Sequence, residues 1–398
     1  MIKVLTFTSL YPNNKQPRLG VFVAERMNKM ISSGGVQYRV VAPVPWFPLA
    51  FGHFKKYRIE REIRHEYKTE SVLVAHPRFP LIPKFSSWIN PLLMAISSVR
   101  VIKKMRSETG DFDVIDAQFV YPDGIAGVLL GLWFRKPVLI TARGSDVNVQ
   151  CQKIVNRAWL NWAVKRCSGF ITVSMALKKS LLELNVPESK ITVCRNGVDL
   201  VKFKPYKDRY FIRNQLGFDG YTILSVGNLV SEKGHELTIG ALVGLPECRL
   251  VIIGEGPLET ELKRIAKKLS VSERITWIPY LNHEMLSFYY SAADVLVLAS
   301  SREGMPNVIL ESLACGTKVI ATDVGGVSEV INVAEAGILI KNRTPKAIEC
   351  AVRSLIDSGS NRDETRHYAE GLGWDGVINA QLNLFKKAIL VLDRDEKL

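Results

Sequence analysis

Short apolar runs with strand character alternate with amphipathic helical patterns along the whole chain. Helical segments such as Leu258–Leu269, which follows a Gly256-Pro257 start signal, separate these runs. Regular alternation of this kind predicts an α/β protein in which crossover helices connect parallel strands. We predict strands at residues 2–8, 38–42, 72–75, 113–116, 137–141, 169–173, 222–226, 249–253, 274–278, 294–298, 318–321 and 337–340.

The length of the chain, 398 residues, is sufficient for two domains that each bury a core. The best boundary signal lies between Phe203 and Arg213, where the polar segment 204–208 contains the helix-breaking residue Pro205. We therefore predict a first domain over residues 1–205 and a second domain that begins at residue 206.

The segment from Arg302 to Glu311 joins a predicted strand to a predicted helix. A helix start offers unpaired N–H groups and the positive end of the helix dipole, here at Asn307 and Val308, and can seat a phosphate. Glu303 and Glu311 stand eight positions apart and can reach hydroxyls on both sides of a bound diphosphate. A nucleotide sugar has this layout. The alternative is ordinary turn chemistry followed by an exposed helix glutamate.

Further motifs accompany this E-x7-E pattern in a fixed order. They are Arg195-Asn196-Gly197-Val198-Asp199, Val226-Gly227-Asn228 with Lys233-Gly234-His235, Ile253-Gly254-Glu255-Gly256-Pro257, Ser291-Ala292-Ala293-Asp294, and Gly325-Gly326-Val327-Ser328-Glu329. With these motifs the chain resembles the retaining glycosyltransferases of family 4 over nearly its whole length. The segments 119–124 and 143–146 look like the branch that builds exopolysaccharides and teichuronic-acid-like polymers.

The resemblance implies the GT-B fold, with two Rossmann-like domains facing a central cleft. Residues 1–205 would form the acceptor-side domain, and residues 206–373 would form the nucleotide-sugar-binding domain. A C-terminal helix over 374–398, beginning at Trp374, would pack back toward the first domain. Ligands of open α/β sheets bind beyond the carboxyl ends of the strands, where the cleft would lie.

The resemblance also implies roles for individual residues. Glu303 would bind hydroxyls of the transferred sugar, Glu311 would bind the ribose hydroxyls, and Lys233 would neutralise the departing diphosphate. Such a lysine makes metal-independent chemistry without a cofactor the expectation; the alternative for Lys233 is a solvated loop lysine. The implied donor-binding set also contains Gly20, Asn228, Gly304, Met305, Pro306, Asn307 and Val308.

Two positions depart from the family pattern. Asn228 stands where many relatives have a phosphate-binding arginine, so either Arg302 or Arg143 compensates or the donor is held more weakly. Arg143 stands where many relatives have a histidine, and an arginine cannot act as a general base at neutral pH. Asp146 is the nearest titratable group; the alternative for it is a helix N-cap. The predicted catalytic set is Glu303, Lys233, Arg143 and Asp146.

The net positive charge of the chain comes entirely from its first half. Residues 1–200 contain 29 Lys and Arg against 14 Asp and Glu, whereas residues 201–398 contain 24 against 25. This asymmetry predicts an anionic partner for the first half, and aromatic segments at 43–51 and 85–94 beside basic residues favour a membrane surface. The alternative is domain core beside a solvated basic face. Nucleic acid is disfavoured because no nucleic-acid-binding signature is present.

Other features of the sequence fit a cytoplasmic enzyme. The N-terminus lacks a signal-peptide pattern, and the apolar run 124–134 is about half a membrane span. The six cysteines are dispersed, without zinc-site spacing, which predicts buried free thiols.

The predicted function is transfer of a hexose-type sugar, with retention, from a nucleoside-diphosphate sugar to a lipid-linked or polysaccharide acceptor at the inner face of the cell membrane. The alternatives are another GT-B enzyme, such as a sugar-nucleotide epimerase, or a non-catalytic binder. The sequence leaves the choice between UDP and GDP open.

Overall fold

The structure, a computed structural model, describes residues 1–47, 62–69, 72–81, 88–359 and 361–395. The chain forms two compact units, one from Met1–Arg195 with Gly376–Leu398 and one from Asn196–Asp375. No helix within the described ranges is long and apolar enough to cross a membrane.

The first unit is built on a large, mainly parallel sheet. Its strands are β1 (Ile2–Phe7), β2 (Val36–Val41), β3 (Val44–Trp46), β4 (Glu66–Lys68), β5 (Leu73–Ala75), β6 (Arg78–Pro80), β7 (Val114–Gln118), β8 (Val138–Ala142), β9 (Gly169–Thr172) and β10 (Ile191–Val193). Eight of them form one sheet in the order β10-β9-β8-β7-β1-β2-β5-β4, while β3 pairs with β6 separately. Only β4 runs antiparallel to its neighbour in the large sheet.

Helices connect the strands of the first unit. They are α1 (Val21–Ser32), α2 (Asn90–Thr109), α3 (Ile125–Phe134), α4 (Ile154–Val164) and α5 (Met175–Glu183). The last helix of the chain, which we label α13, spans Trp374–Asp395. It contacts this unit through Gln381, whose Oε1 accepts a 2.7 Å hydrogen bond from Nε of the buried Arg26 on α1.

The second unit is a fully parallel six-stranded sheet with helices between the strands. Its strands are β11 (Tyr221–Val226), β12 (Cys248–Ile253), β13 (Ile275–Ile278), β14 (Val295–Leu298), β15 (Val319–Thr322) and β16 (Gly337–Ile340), in the order β13-β12-β11-β14-β15-β16. Its helices are α6 (Arg209–Leu216), α7 (His235–Ala241), α8 (Glu259–Lys268), α9 (His283–Ala292), α10 (Asn307–Ala314), α11 (Pro345–Ser358) and α12 (Arg362–Glu370).

Burial of the central strands explains their continuous apolar sequences. Every residue of β7, β8, β14 and β15 is buried, as expected for parallel strands that have helices on both faces. The exceptions to apolar character are informative. Asp116, Gln118 and Thr141 are buried in β7 and β8, so polar groups are concentrated toward the carboxyl ends of these strands.

The predicted strands are all present in the structure, and Leu258–Leu269 corresponds to α8. The prediction missed β3, β4, β6 and β10, each of which has only three residues. A strand of three residues shows little apolar periodicity; β5 is equally short but was predicted, because it lies in the apolar run 72–75. Two of the missed strands, β4 and β10, are the edge strands of the large sheet. An edge strand has a neighbour on one side only and therefore needs fewer apolar residues.

The cysteine prediction is correct for five residues and wrong for Cys350, which is exposed on α11. This amphipathic helix turns its buried face, which includes Ile348 and Val352, toward the core, and Cys350 lies outside that face. Most of the aromatic segment 43–51 and part of the segment 85–94 lie outside the described residues.

Candidate functional site

Two adjacent strands of the second unit, β11 and β14, are followed by loops that carry Lys233 and Glu303. Lys233 Nζ donates a 2.6 Å hydrogen bond to Glu303 Oε1, and Ser300 Oγ donates to the same oxygen at 2.7 Å. Glu303 Oε2 accepts no hydrogen bond from the described residues. The side chains of Lys233 and Glu303 are 26% and 11% exposed, so the alternative of a solvated loop lysine is wrong.

Two glycines allow these loops to approach each other closely. Gly234, with φ of 69°, ends the turn that carries Lys233, and a Cβ there would lie 2.2 Å from the Ala299 carbonyl oxygen. Gly325, with φ of 58°, leaves room for the Glu303 carbonyl oxygen, which a Cβ would meet at 2.0 Å. Both positions require glycine because left-handed backbone and contact with neighbouring backbone coincide there.

The start of α10 presents free backbone donors next to Glu303. Helix α10 begins at Asn307 after Pro306, and the N–H groups of Asn307 and Val308 donate no hydrogen bonds to the described residues. Asn196 fixes this start, because its Nδ2 donates to Asn307 Oδ1 at 2.9 Å and to the Met305 carbonyl at 3.4 Å. The loop is also tied by Gly304, whose carbonyl accepts a 3.0 Å hydrogen bond from Gly326. The geometry suits an anion at this helix terminus.

Glu311 lies one turn into α10 and is only 6% exposed. Its Oε2 accepts a 2.9 Å hydrogen bond from the hydroxyl of Tyr290, which is fully buried on α9. Burial and the neighbouring carboxylate raise the pKa of Tyr290, so its hydroxyl remains a donor. The alternative of an exposed helix glutamate is therefore wrong for Glu311.

Asn228 is exposed, and its backbone carbonyl contacts His235 Nε2 at 3.3 Å. Nδ1 of His235 lies 2.9 Å from Ser225 Oγ, and burial lowers the pKa of His235 to about 4, so the imidazole is neutral at pH 7. Arg302 forms a 2.7 Å ion pair with Glu232, in which both side chains are largely exposed. Arg302 is thus held in the same set of loops as Lys233.

In the first unit, Arg143 follows β8 and is anchored to β7. Its Nε donates a 3.0 Å hydrogen bond to Gln118 Oε1, its Nη2 donates to the same oxygen, and its guanidinium lies 4.9 Å from the ring centroid of Phe22. Burial and the nearby Arg26 lower the pKa of Arg143 to about 9, so the side chain stays cationic at neutral pH.

Asp146 is 2% exposed and binds backbone. Oδ1 accepts hydrogen bonds from the amides of Gly144 and Arg143 at 2.7 and 3.1 Å, and Oδ2 accepts one from the amide of Val120 at 2.7 Å. Burial raises the pKa of Asp146, although these hydrogen bonds oppose the shift. The carboxylate therefore holds the loops after β7 and β8 together, and the cap of the short turn that follows is Ser145.

Two other buried carboxylates lie in the first unit. Burial raises the pKa of Asp116 to about 6 and that of Asp123 to about 7. Asp123 Oδ2 accepts hydrogen bonds from the amide and hydroxyl of Ser9, at 2.7 and 3.0 Å. The carboxylate thereby connects the loop after β1 to the loop after β7.

Gly20 immediately precedes α1 in the left-handed conformation, with φ of 66°. A Cβ there would lie 2.1 Å from the Leu10 carbonyl oxygen, so only glycine fits this turn. The loop after β1 is thus folded tightly against the start of α1.

Other features of the second unit lie apart from the predicted donor residues. A cavity of about 760 Å³ is lined by segment 202–208 and residues of α9, and it includes no residue of the predicted donor set. In the described part of the chain, no group of three or more His, Cys, Asp or Glu side chains is arranged to hold a metal ion.

The comparisons with known proteins identify the family. Residues 11–202 match the Glycosyltransferase Family 4 model, and residues 208–371 match the model for Glycosyl transferases group 1. A putative teichuronic acid biosynthesis glycosyltransferase, TuaC of Bacillus subtilis, is 30% identical over 358 residues, covering 88% of each chain. The chain belongs to glycosyltransferase family 4. The resemblance deduced from the motifs is therefore confirmed.

Solved glycosyltransferases confirm the GT-B fold class of this family 4 member. Sucrose-phosphate synthase from Thermosynechococcus elongatus has a TM-score of 0.77 at 18% identity and covers 98% of this chain and 100% of its own. Anabaena HepE in complex with UDP has a TM-score of 0.68 at 16% identity, and its complex with UDP-glucose has a TM-score of 0.65 at 17% identity; both cover 100% of each chain.

The sequence analysis missed several residues that contact the predicted site residues within each unit. Ser300 and Tyr290 bind the two glutamates, Asn196 binds the start of α10, and Gln118 holds Arg143. Asn196 belonged to a motif that was recognised, but its contact was not foreseen. Ser300 is close to Glu303 in sequence, whereas the other contacts join positions too distant for any spacing rule.

Proposed function

We propose that this family 4 enzyme is a retaining hexosyltransferase that uses a nucleoside-diphosphate sugar. The observation that carries the proposal is the pairing of Lys233 with Glu303 beside the free amides of α10. HepE, which shares the fold, was solved with UDP and with UDP-glucose, and this supports a nucleotide sugar as donor.

Each part of the proposed donor has a matching group in the second unit. The diphosphate would bind at the amides of Asn307 and Val308, with Lys233 supplying positive charge. Oε2 of Glu303, which is free of hydrogen bonds from the described residues, would accept one from a hydroxyl of the transferred sugar. Glu311, held by Tyr290, would bind the ribose hydroxyls.

The proposed reaction is front-face attack with retained anomeric configuration. The acceptor hydroxyl forms the new glycosidic bond as the bond to the diphosphate breaks, and the departing phosphate oxygen takes the acceptor's proton. Such a scheme needs positioning and charge stabilisation and no strong protein base. Arg143 fits it as a fixed cation, and Asp146 as the residue that positions the loop of Arg143.

We further propose that no metal ion takes part, because Lys233 supplies the charge that a metal would otherwise provide at the diphosphate. Activity is then expected to survive an excess of EDTA. Loss of activity in EDTA that added Mg²⁺ or Mn²⁺ restores would contradict this part of the proposal.

The acceptor is proposed to be a lipid-linked or polysaccharide chain, with the first unit held at the inner, anionic face of the cell membrane. Helices α2, α3 and α4 support this. They expose Ile96, Trp133 and Ile154 at 61%, 62% and 89%. Helix α2 also carries the exposed basic residues Arg100, Lys103 and Lys104, and the exposed Lys153 directly precedes α4. Exposed apolar side chains among lysines and arginines suit the boundary between headgroups and acyl chains.

The donor assignment is tested by screening UDP- and GDP-sugars with ligand-observed NMR. Wild type, Glu311→Gln and the control Glu259→Gln, at a half-exposed position outside the predicted donor set, are compared. One nucleotide sugar should bind wild type and the control, and the Glu311→Gln substitution should weaken the affinity for this nucleotide sugar at least tenfold. Equal binding by Glu311→Gln would refute the site. Conversion of the donor to an epimer without any acceptor would favour the epimerase alternative.

The membrane assignment is tested by flotation with vesicles of phosphatidylcholine, with and without phosphatidylglycerol. Wild type should float only with the anionic vesicles, and the pair Trp133→Ser with Ile154→Ser should reduce flotation severalfold. The matched control is Tyr210→Ser, since Tyr210 is 77% exposed on α6 of the second unit. An equal loss of flotation in this control, or equal flotation of wild type with and without phosphatidylglycerol, would refute the assignment.

A further inference from the structure

Arg343 lies at the carboxyl edge of the sheet in the second unit. It follows β16 and directly precedes Thr344, the N-cap of α11. Because β11, β14, β15 and β16 are parallel, a residue that follows β16 is on the same edge of the sheet as the loops after β11 and β14. Arg343 stands outside the motifs on which the family resemblance rests.

The guanidinium group of Arg343 joins the loop of Lys233 to the loop of Glu303. Its Nε donates a 2.8 Å hydrogen bond to the carbonyl of Ala299, and its Nη2 donates a 3.2 Å hydrogen bond to the carbonyl of Ser231. Ala299 comes immediately after β14, and Ser231 lies two positions before Lys233. Hydrogen bonds from a charged donor are roughly twice as strong as those between neutral groups.

Both carbonyls belong to backbone that sets the geometry of the Lys233–Glu303 pair. Ala299 precedes Ser300, whose hydroxyl donates to Glu303 Oε1 at 2.7 Å. Lys233 Nζ donates to the same carboxylate oxygen at 2.6 Å. A displacement of the backbone at Ala299 or at Ser231 would therefore shift one partner of this pair relative to the other.

The guanidinium group is also packed against the turn that carries Lys233. A Cβ at Gly234, which ends this turn, would lie 2.7 Å from Arg343 Nη2 and 2.2 Å from the Ala299 carbonyl oxygen. The turn, the end of β14 and the guanidinium group are thus in direct contact, with no space for a side chain among them. Glu236, in the first turn of α7, places Oε1 3.7 Å from Nη2 and adds an acidic neighbour.

Two further contacts join the same loops, but they act at other points. The amide of Ser301 donates a 2.8 Å hydrogen bond to the carbonyl of Glu232, and Arg302 forms its ion pair with the Glu232 side chain. That ion pair is largely exposed and is therefore weakened by solvent screening. Arg343 binds one carbonyl of each loop with two nitrogens of a planar group, which the single ammonium of a lysine does not reproduce.

We propose that Arg343 is a positioning residue for the donor site. By fixing the backbone of both loops, it keeps Lys233 and Glu303 where they would bind the diphosphate and the transferred sugar. The inference rests on the proposed function, since it takes these two side chains to contact the donor. Misplacement of reacting groups by about 1 Å can lower turnover about a hundredfold, so a modest loosening of the loops is sufficient to slow the reaction.

The first test is turnover by Arg343→Ala, measured as release of nucleoside diphosphate from the UDP- or GDP-sugar found by the donor screen, with water as the acceptor. The value of kcat should fall about tenfold with a smaller change in KM, because Lys233 would act on charge that develops on the departing diphosphate. Guanidinium chloride, far below the molar concentrations that denature proteins, should restore part of kcat by occupying the vacated space. The side chain is 32% exposed, so this space is accessible from solvent.

Two variants serve as references for this measurement. Arg343→Lys keeps the charge and one donor group, so its kcat should lie between those of wild type and Arg343→Ala. Arg264→Ala removes an arginine of α8 that is 66% exposed and paired with Glu261. Its kcat should equal that of wild type and should not rise with guanidinium chloride. A variant that was merely less stable would also not be activated by this compound.

The second test needs no substrate and follows hydrogen exchange at the amide of Ser301, which joins the two loops. Exchange there should be at least tenfold faster in Arg343→Ala than in wild type or Arg264→Ala. Amides of the central strand β11 should exchange at the wild-type rate, which verifies that the variant is folded. Unchanged exchange at Ser301 would overturn the proposal.

The two proposals fail in distinguishable ways. If wild type and Arg343→Ala turn over a nucleotide sugar equally fast, the donor site stands and the positioning role of Arg343 is refuted. If exchange at Ser301 depends on Arg343 but no nucleotide sugar binds wild type, Arg343 holds the loops and the donor assignment fails.

Discussion

Both units place charged side chains in loops at the carboxyl ends of parallel strands, but the surroundings of these charges differ. In the second unit, Glu303 and Lys233 are partly exposed and bind each other, and one oxygen of Glu303 is left without a hydrogen bond from the described residues. In the first unit, Asp146 is buried and both of its oxygens accept hydrogen bonds from backbone amides. Asp123 is also buried, and its Oδ2 accepts hydrogen bonds from the amide and the hydroxyl of Ser9.

The difference separates residues that can reach a ligand from residues that hold loops in place. A carboxylate whose oxygens are occupied by amides within the fold has little capacity left for a substrate, and its loss exposes buried donors without partners. A carboxylate paired with a lysine at the surface can exchange that partner for a ligand hydroxyl. Substitutions at the two kinds of site should therefore affect different measurements.

Glu303→Gln should have the largest effect of the substitutions considered. It removes the charge that positions Lys233 and an acceptor for the sugar hydroxyl, and loss of one preorganised group of this type lowers turnover by about 10²- to 10³-fold. Measured kcat with the donor found by the screen should fall by that factor, while the melting temperature changes little. A variant with normal kcat would place Glu303 among the structural carboxylates.

Asp146→Asn should act on stability first. The amide cannot accept at both oxygen positions, so buried N–H groups of Gly144, Arg143 or Val120 lose partners, at a cost of about 3 kcal/mol in the free energy of unfolding. Urea denaturation measures this change, with the exposed Asp219→Asn as control. If Asp146→Asn lowered kcat a hundredfold at unchanged stability, the view that Asp146 holds loops in place, in contrast to Glu303, would be contradicted.

Asp123→Asn should change how stability depends on pH. Burial raises the pKa of Asp123 from 3.8 to about 7 in the folded chain. Between these values the folded state holds a proton that the unfolded state has released, so this group's contribution to stability falls as pH rises. The free energy of unfolding of the variant minus that of wild type should therefore rise by about 2 kcal/mol from pH 5 to pH 8. Urea denaturation at both pH values measures this difference. An equal difference at both pH values would contradict the assignment.

Tyr290→Phe should have the smallest effect. It tests how much the hydrogen bond from Tyr290 to Glu311 contributes to donor binding. It removes only the hydroxyl that donates to Glu311, a loss of about 1 kcal/mol for one hydrogen bond. We expect the KM for the nucleotide sugar to rise about fivefold with little change in kcat. Phe288→Leu, at a position that lines the separate 760 Å³ cavity, is a control that should leave this KM unchanged.

Much of the fold could be predicted from the sequence because its periodic signals are local. Central parallel strands are buried on both faces, so β14 and most of β8 are apolar runs that stand out in the sequence. The same holds for the turn at 302–311, whose glycine, proline and glutamates are adjacent in sequence. The family assignment depended on motifs of this local kind.

The partners of the site residues were decided only by the tertiary structure. Tyr290 reaches Glu311 from another helix, and Gln118 reaches Arg143 from another strand. The sequence by itself thus determined the α/β architecture, the family and the candidate glutamates. The tertiary structure decided that Asp146 is buried against backbone amides while Glu303 stays partly exposed beside Lys233, because burial and hydrogen bonding depend on residues that folding brings together from distant positions.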